Sequence, residues 1–112
     1  MEHVRSSDVE AAEPVDNVSL RRLASGEETS MQRFEIEPGA TVPEHSHRHE
    51  QIGFLYEGTV TFVSGGEEFT VEAGDSFAIP GGESHSVTND GDAVARGIDV
   101  FSPPRTDPDW AE

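Results

Sequence analysis

The residues best suited to chemistry are clustered histidines. Three of the five fall within five positions, His45, His47 and His49; Gln51 follows, and His85 lies much further along. Side chains two apart on an extended strand point the same way. His45 and His47 can therefore converge on one point, Gln51 can join them if the strand continues, and His85 can complete the set from another strand. Imidazole nitrogens suit Zn, Cu, Fe and Ni, and an amide oxygen tolerates Mn, Fe or Ni. Four such ligands leave room on a five- or six-coordinate ion, which distinguishes a reactive centre from a closed structural one. The competing reading is a polar, solvent-facing His-rich loop.

A second group lies near the C-terminus. Asp99 and Phe101 are two apart and share a face if the segment is a strand. Facing the interior, Asp99 would be a buried carboxylate near the histidines, a group that needs a partner or a shifted pKa. Phe101 would then offer an apolar wall to a ring. Pro103 and Pro104 stiffen the exit, and Arg105 presents a planar fork suited to a carboxylate. The alternative is a structural ion pair between Asp99 and Arg105, with Phe101 in the core.

The elements that must position these groups read as short strands. The runs are residues 20–24, 29–36, 51–56, 59–63, 67–71, 76–79, 85–88 and 93–101, divided by Pro38-Gly39, Glu57-Gly58, Gly65-Gly66, Ala73-Gly74, Gly81-Gly82 and Asn89-Asp90-Gly91. Strand-sized runs at this spacing predict an all-β sandwich or barrel. Residues 1–17 read as an acidic lead-in with a turn near Pro14, and residues 18–112 as one barrel with a short C-terminal tail.

Around these strands the sequence resembles the cupin superfamily. Its first motif is matched by Gly39, His45-Ser46-His47, Gln51 and Gly58, with Gln51 where an acid is usual. Its second is matched by Gly74, Pro80-Gly81-Gly82, His85 and Asn89. The resemblance implies a single-domain cupin, a double-stranded β-helix or jelly-roll barrel, with His45, His47, Gln51 and His85 as metal ligands. The expected cofactor is one divalent transition metal per chain, Ni, Mn, Fe or Zn. His49 has no ligand role in the pattern and would support the site or face substrate. Gln51 in place of an acid removes one negative charge from the site.

The run His-Ser-His-Arg-His-Glu-Gln and the later Asp-Val-Phe-Ser-Pro-Pro-Arg resemble the small cupins of pectin and alginate breakdown. Those proteins linearise 4,5-unsaturated uronate monosaccharides. The resemblance implies that Asp99 shuttles a proton, that Arg105 grips the uronate carboxylate and that Phe101 packs on the sugar ring. The sequence departs from that pattern after Arg105, where Thr-Asp-Pro-Asp-Trp stands in place of an immediate acidic-aromatic pair. Other metal-cupin chemistry, as a dioxygenase or isomerase, and non-catalytic sugar or ligand binding remain open.

Composition bounds the rest. The 112 residues suggest one domain. Cysteine is absent, which excludes disulfides and thiolate chemistry. There are 23 acidic residues against 7 basic ones, all Arg, for a formal net charge of -16. A basic nucleic-acid footprint is excluded, and attraction to an anionic membrane is not expected. Such an excess of like charge opposes compaction in dilute buffer and is screened in molar salt; the acid-rich, Lys-free composition resembles that of salt-accumulating halophiles. With no secretory signal pattern at the N-terminus, a cytoplasmic location is expected. Ile52, Phe54 and Tyr56 alternate with Gln51, Gly53 and Leu55. If the latter face the interior, the former need a cover, and a homodimer, pairing around residues 20–36, is expected.

Overall fold

A computed structural model describes residues 1–105; the expected C-terminal tail beyond Arg105 lies outside the described residues. The chain forms ten strands, β1 (Ala12–Val15), β2 (Val18–Ser25), β3 (Ser30–Ile36), β4 (Thr41–His45), β5 (Glu50–Glu57), β6 (Thr59–Ser64), β7 (Glu67–Glu72), β8 (Ser76–Ile79), β9 (His85–Thr88) and β10 (Ala95–Ser102). They build two antiparallel sheets, a larger one in the order β1-β2-β3-β10-β5-β8 and a smaller one in the order β4-β9-β6-β7. This is the predicted all-β architecture. Gly39, Gly58, Gly74 and Gly82 all take positive φ at the turns where the sequence placed them. Among the described residues no helix is long and apolar enough to cross a membrane.

Two strands escape the pattern reading. β1 contains Pro14 and β4 contains Pro43, and both are edge strands, where a missing backbone N–H is tolerated. The turn expected near Pro14 falls instead at Asp16-Asn17, with Asn17 at φ 65°. The N-terminal segment is tied to the larger sheet. Arg21 and Arg33 pair across β2 and β3. Arg21 donates to the carbonyl of Val9 at 3.2 Å and Arg33 to the Ser6 hydroxyl at 3.0 Å.

Period-two alternation sets what faces inward. On β5, Gln51, Gly53 and Leu55 are buried while Ile52, Phe54 and Tyr56 are exposed. On β10, Ala95, Gly97, Asp99 and Phe101 are buried. The interior is graded along the strands. One end is apolar, with Val18, Ile36, Leu55, Val60 and Ala95. Toward the other end the inward positions become polar, with Gln32, Gln51, His85 and Asp99.

Asn89 closes the apolar end. It is fully buried, and its amide donates to the carbonyls of Ile36 and Ala93, both at 2.8 Å, while its side-chain oxygen accepts from Gly91 N at 3.0 Å. Its own backbone pairs with Ala40 and Gly39. One side chain thus satisfies three main-chain groups from two segments, the end of β3 and the loop at residues 91–93. Asn89→Ala leaves two carbonyls without their donor, and a loss of about 2–4 kcal/mol in unfolding free energy is expected. Urea unfolding in molar KCl checks this against Thr61→Ala, whose exposed bonds to Asp90 should be worth less than about 1 kcal/mol.

Candidate functional site

His45 ends β4 and pairs in register with His85, the first residue of β9. His47 lies beyond β4 in the crossing that carries the chain to β5. That crossing is pinned where Gly82 N donates to the His47 carbonyl at 2.7 Å. The strand therefore does not continue from His45 to Gln51. Gln51 instead reaches the same space from the opposite sheet, because the chain changes sheets between them. One ligand atom from each of His45, His47 and His85 lies within 4.8 Å of the others, a group that could hold a metal ion.

The hydrogen bonds decide which nitrogens face the common point. His45 Nδ1 lies 2.9 Å from the carbonyl of Pro43, His47 Nδ1 3.1 Å from that of His49, and His85 Nδ1 3.0 Å from that of Glu83. A carbonyl only accepts, so each Nδ1 carries a proton, which leaves Nε2 as the nitrogen able to offer a lone pair to a metal. This main-chain support of the far nitrogen is the usual outer shell of a metal-binding histidine. Burial holds the His47 pKa down, to about 4, aided by the Arg105 charge. Burial also lowers His85. Both rings are thus neutral at pH 7, as ligation requires. Gln51 Oε1 sits 3.1 Å from His47 Nε2. In this amide orientation two lone pairs face each other, an arrangement that a bound cation satisfies. The donor set fits a borderline divalent transition metal.

Asp99 projects from β10 into the same interior and is buried. Gln32 donates to its Oδ2 at 3.4 Å, while Oδ1 is buried with no partner in hydrogen-bond geometry. Burial pushes the Asp99 pKa up to about 7, against the opposing pull of the Gln51 and Gln32 amides and the Arg105 charge. Gly53 makes the seat for this carboxyl: a Cβ there would meet the Phe77 ring at 2.1 Å and Asp99 Oδ1 at 2.8 Å. Any side chain at 53 would displace the aromatic wall or the acid.

Phe101 is buried beside the histidines, its ring centroid 5.6 Å from that of His47 and 6.2 Å from that of His49. The Arg105 guanidinium lies over the Phe101 face at 5.2 Å, and its backbone N–H donates to the Ser30 hydroxyl at 2.7 Å. Asp99 accepts from Gln32, and the Arg105 charge acts on it as well. His49 borders the group through Phe101 and His47, with its buried Nδ1 lacking a partner in hydrogen-bond geometry. Gln32 is the residue the sequence reading missed. Its signal was a polar side chain in the same alternation phase as Phe34 and Ile36. A cavity of about 340 Å³ joins these residues, with His45, His85, Gln51, Asp99, Phe101 and Arg105 in its wall.

Comparison with known proteins agrees with the fold. Residues 32–101 match the sequence model of the Cupin domain. KdgF from Halomonas sp. superposes with a TM-score of 0.85 at 21% identity, covering 95% of this chain and 96% of that one. An RmlC-like cupin from Shewanella frigidimarina gives 0.85 at 24% identity, covering 95% and 94%. A predicted oxalate decarboxylase from Thermotoga maritima gives 0.78 at 25% identity, covering 91% and 99%. No curated protein matches by sequence.

The buried acid makes stability depend on pH. The folded metal-free protein holds the Asp99 proton more tightly than the unfolded chain does, so raising the pH from about 4 to about 7 favours unfolding through this group. A pKa near 7 in place of 3.8 sets an upper bound of about 4 kcal/mol. Asp99→Asn should therefore leave metal-free stability almost unchanged at pH 4 and raise it by roughly 2–4 kcal/mol at pH 8. Urea midpoints of both proteins at the two pH values check this; the opposing contribution of His47 is common to both and cancels.

Proposed function

The chain belongs to the cupin family, and from that premise we propose that it is a metal-dependent enzyme that opens 4,5-unsaturated uronate monosaccharides. The observation that carries the reading is the convergence of Asp99, Phe101 and Arg105 on a cavity whose wall includes His45 and His85, two of the three clustered histidines. Likeness in fold to KdgF accords with it, as does the resemblance of the sequence around both groups to uronate-opening cupins.

In this reading His45, His47, Gln51 and His85 hold one divalent metal, which when bound polarises substrate oxygens as a Lewis acid. Arg105 engages the uronate carboxylate through its planar fork. Phe101 packs against the sugar ring, and His49 borders the same space. Opening breaks the bond between C1 and the ring oxygen. The C1 hydroxyl loses its proton and becomes an aldehyde, and the freed oxygen at C5 becomes an enol. The enol then becomes a ketone as a proton arrives at C4. Asp99 moves that proton, because it is the acid seated in the cavity wall beside the ligand set. Nothing is oxidised and nothing leaves, so no co-reactant is required.

A different small-molecule reaction at the same metal, dioxygenase or isomerase chemistry, is favoured by one observation: much of the cavity wall is apolar. Metal-dependent oxygen uptake without uronate turnover would mark that alternative.

The ring-opening reading predicts faster loss of the enol-ether ultraviolet absorbance of 4,5-unsaturated galacturonate than in a protein-free control, in molar KCl with added divalent metal. Chelator should abolish the acceleration, and Asp99→Ala should lower kcat by about 100-fold or more. Arg105→Ala should raise KM by roughly 10–100-fold. A rate equal to the control from folded, metal-loaded protein, on each uronate epimer, would end this reading.

A homodimer belongs to the same proposal. Met31, Ile52, Phe54 and Tyr56 leave apolar side chains exposed on the larger sheet, with Arg33 bonded to the Tyr56 hydroxyl among them, in a chain of net charge -16. A second copy would cover it. Light scattering should give twice the 12.1 kDa chain mass, and Phe54→Glu should give the monomer.

A further inference from the structure

The cavity is not uniform. Its polar wall lies at the histidine end, where Asp99, Gln51 and Arg105 gather. Gln32, Glu44 and Ser46 also line the cavity, and the remaining wall is apolar and runs into the core. On the smaller sheet Val42, Val87 and Phe62 form one row across β4, β9 and β6, aligned by strand register. On the larger sheet Leu20 and Phe34 form the facing row across β2 and β3. All five residues line the cavity, and three of them, Phe34, Phe62 and Val87, are buried members of the hydrophobic core. The core is therefore hollow between the two sheets.

Such a hollow is costly. An unfilled cavity in a core lowers stability in proportion to its volume, and a small domain has little to spare. Water fills it poorly, because a buried water needs two or more polar partners and these two rows offer none. A hexuronate would fill it poorly as well. Its ring carries hydroxyls around its rim, and each one pressed against an apolar wall loses its hydrogen bonds.

The geometry points to a ligand with two unlike ends: an anionic or oxygen-rich head at the histidine end, and an apolar body of ring or acyl-chain type lodged between the Leu20–Phe34 and Val42–Val87–Phe62 rows. The apolar half is a binding site distinct in chemistry from the sugar-facing residues. It rests on the cavity and not on the ring-opening reading. Its mouth is the slot between the two sheets, where the edge strands β1 and β4 bring Pro14, Val15 and Pro43 to the cavity wall.

Straight-chain carboxylates test this. Propanoate to octanoate are titrated calorimetrically into the full-length protein in molar KCl, with and without added Ni²⁺. All carry the same charge, so repulsion by the acidic surface is constant along the series. Affinity should rise about fourfold for each added methylene until the apolar half is full. Leu20→Trp and Val42→Phe should each abolish that gain by filling the space; circular dichroism reports the fold, and either variant alone suffices if the other does not fold. Affinity that is flat along the series overturns the inference, whether or not short acids bind. So does a gain that persists in a folded variant. A chain-length gain without turnover of unsaturated uronates would sink the ring-opening reading and leave the apolar site standing. Uronate turnover with a flat series would do the reverse.

Discussion

Three imidazoles can share one point only if each gives its Nδ1 proton to something else. Here the acceptors are the main-chain carbonyls of Pro43, His49 and Glu83, each two residues from its histidine. The site therefore depends on where the backbone goes. β4 must end at His45, β9 must begin at His85, and the crossing must pass close enough to Gly82 for its N–H to hold the His47 carbonyl. Burial then keeps His47 and His85 neutral. The ligand geometry is a property of strand ends and turns, and side chains finish it.

The same logic places the second group. β10 lies in the middle of the larger sheet, paired with β3 on one side and β5 on the other. Its inward residues are therefore covered on both flanks. Asp99 falls in register with Gln32 on β3 and with Gly53 on β5. One neighbour supplies an amide donor, and the other, having no side chain, admits the Phe77 ring. A carboxylate in that position is buried beside an aromatic edge, and burial outweighs the pull of the Gln51 and Gln32 amides, which is why it keeps its proton so much more tightly than a solvated acid.

Much of this was legible in the sequence, for physical reasons that also show where legibility stopped. Glycine at a left-handed turn has few substitutes, so the breakers marked the strand ends and eight of the ten strands could be located from them. Alternation set Gln51, Gly53 and Leu55 against Ile52, Phe54 and Tyr56, and the structure turns the first three inward. β1 and β4 were hidden because Pro14 and Pro43 interrupt short polar segments, and only tertiary context shows that they lie at edges. The route of Gln51 was hidden for a different reason. Spacing along one chain cannot reveal a change of sheet, so its convergence with His47 could be expected while the path could not. Gln32 lies outside the two matched motifs, and its role follows from register alone.

Three of the four sheet edges are guarded in different ways. β1 and β4, which border the slot into the cavity, carry Pro14 and Pro43. β7, an edge of the smaller sheet, carries Glu67, Glu68 and Glu72 beside an exposed Phe69. Charge keeps open edges from pairing with another chain, but concentrated salt weakens that protection, whereas a missing N–H donor is missing at any ionic strength. The slot edges therefore stay unavailable for sheet-to-sheet polymerisation under brine conditions. β7 does not share this immunity, and concentrated salt would favour strand-to-strand association there over the two slot edges, at the opposite edge of the smaller sheet from β4.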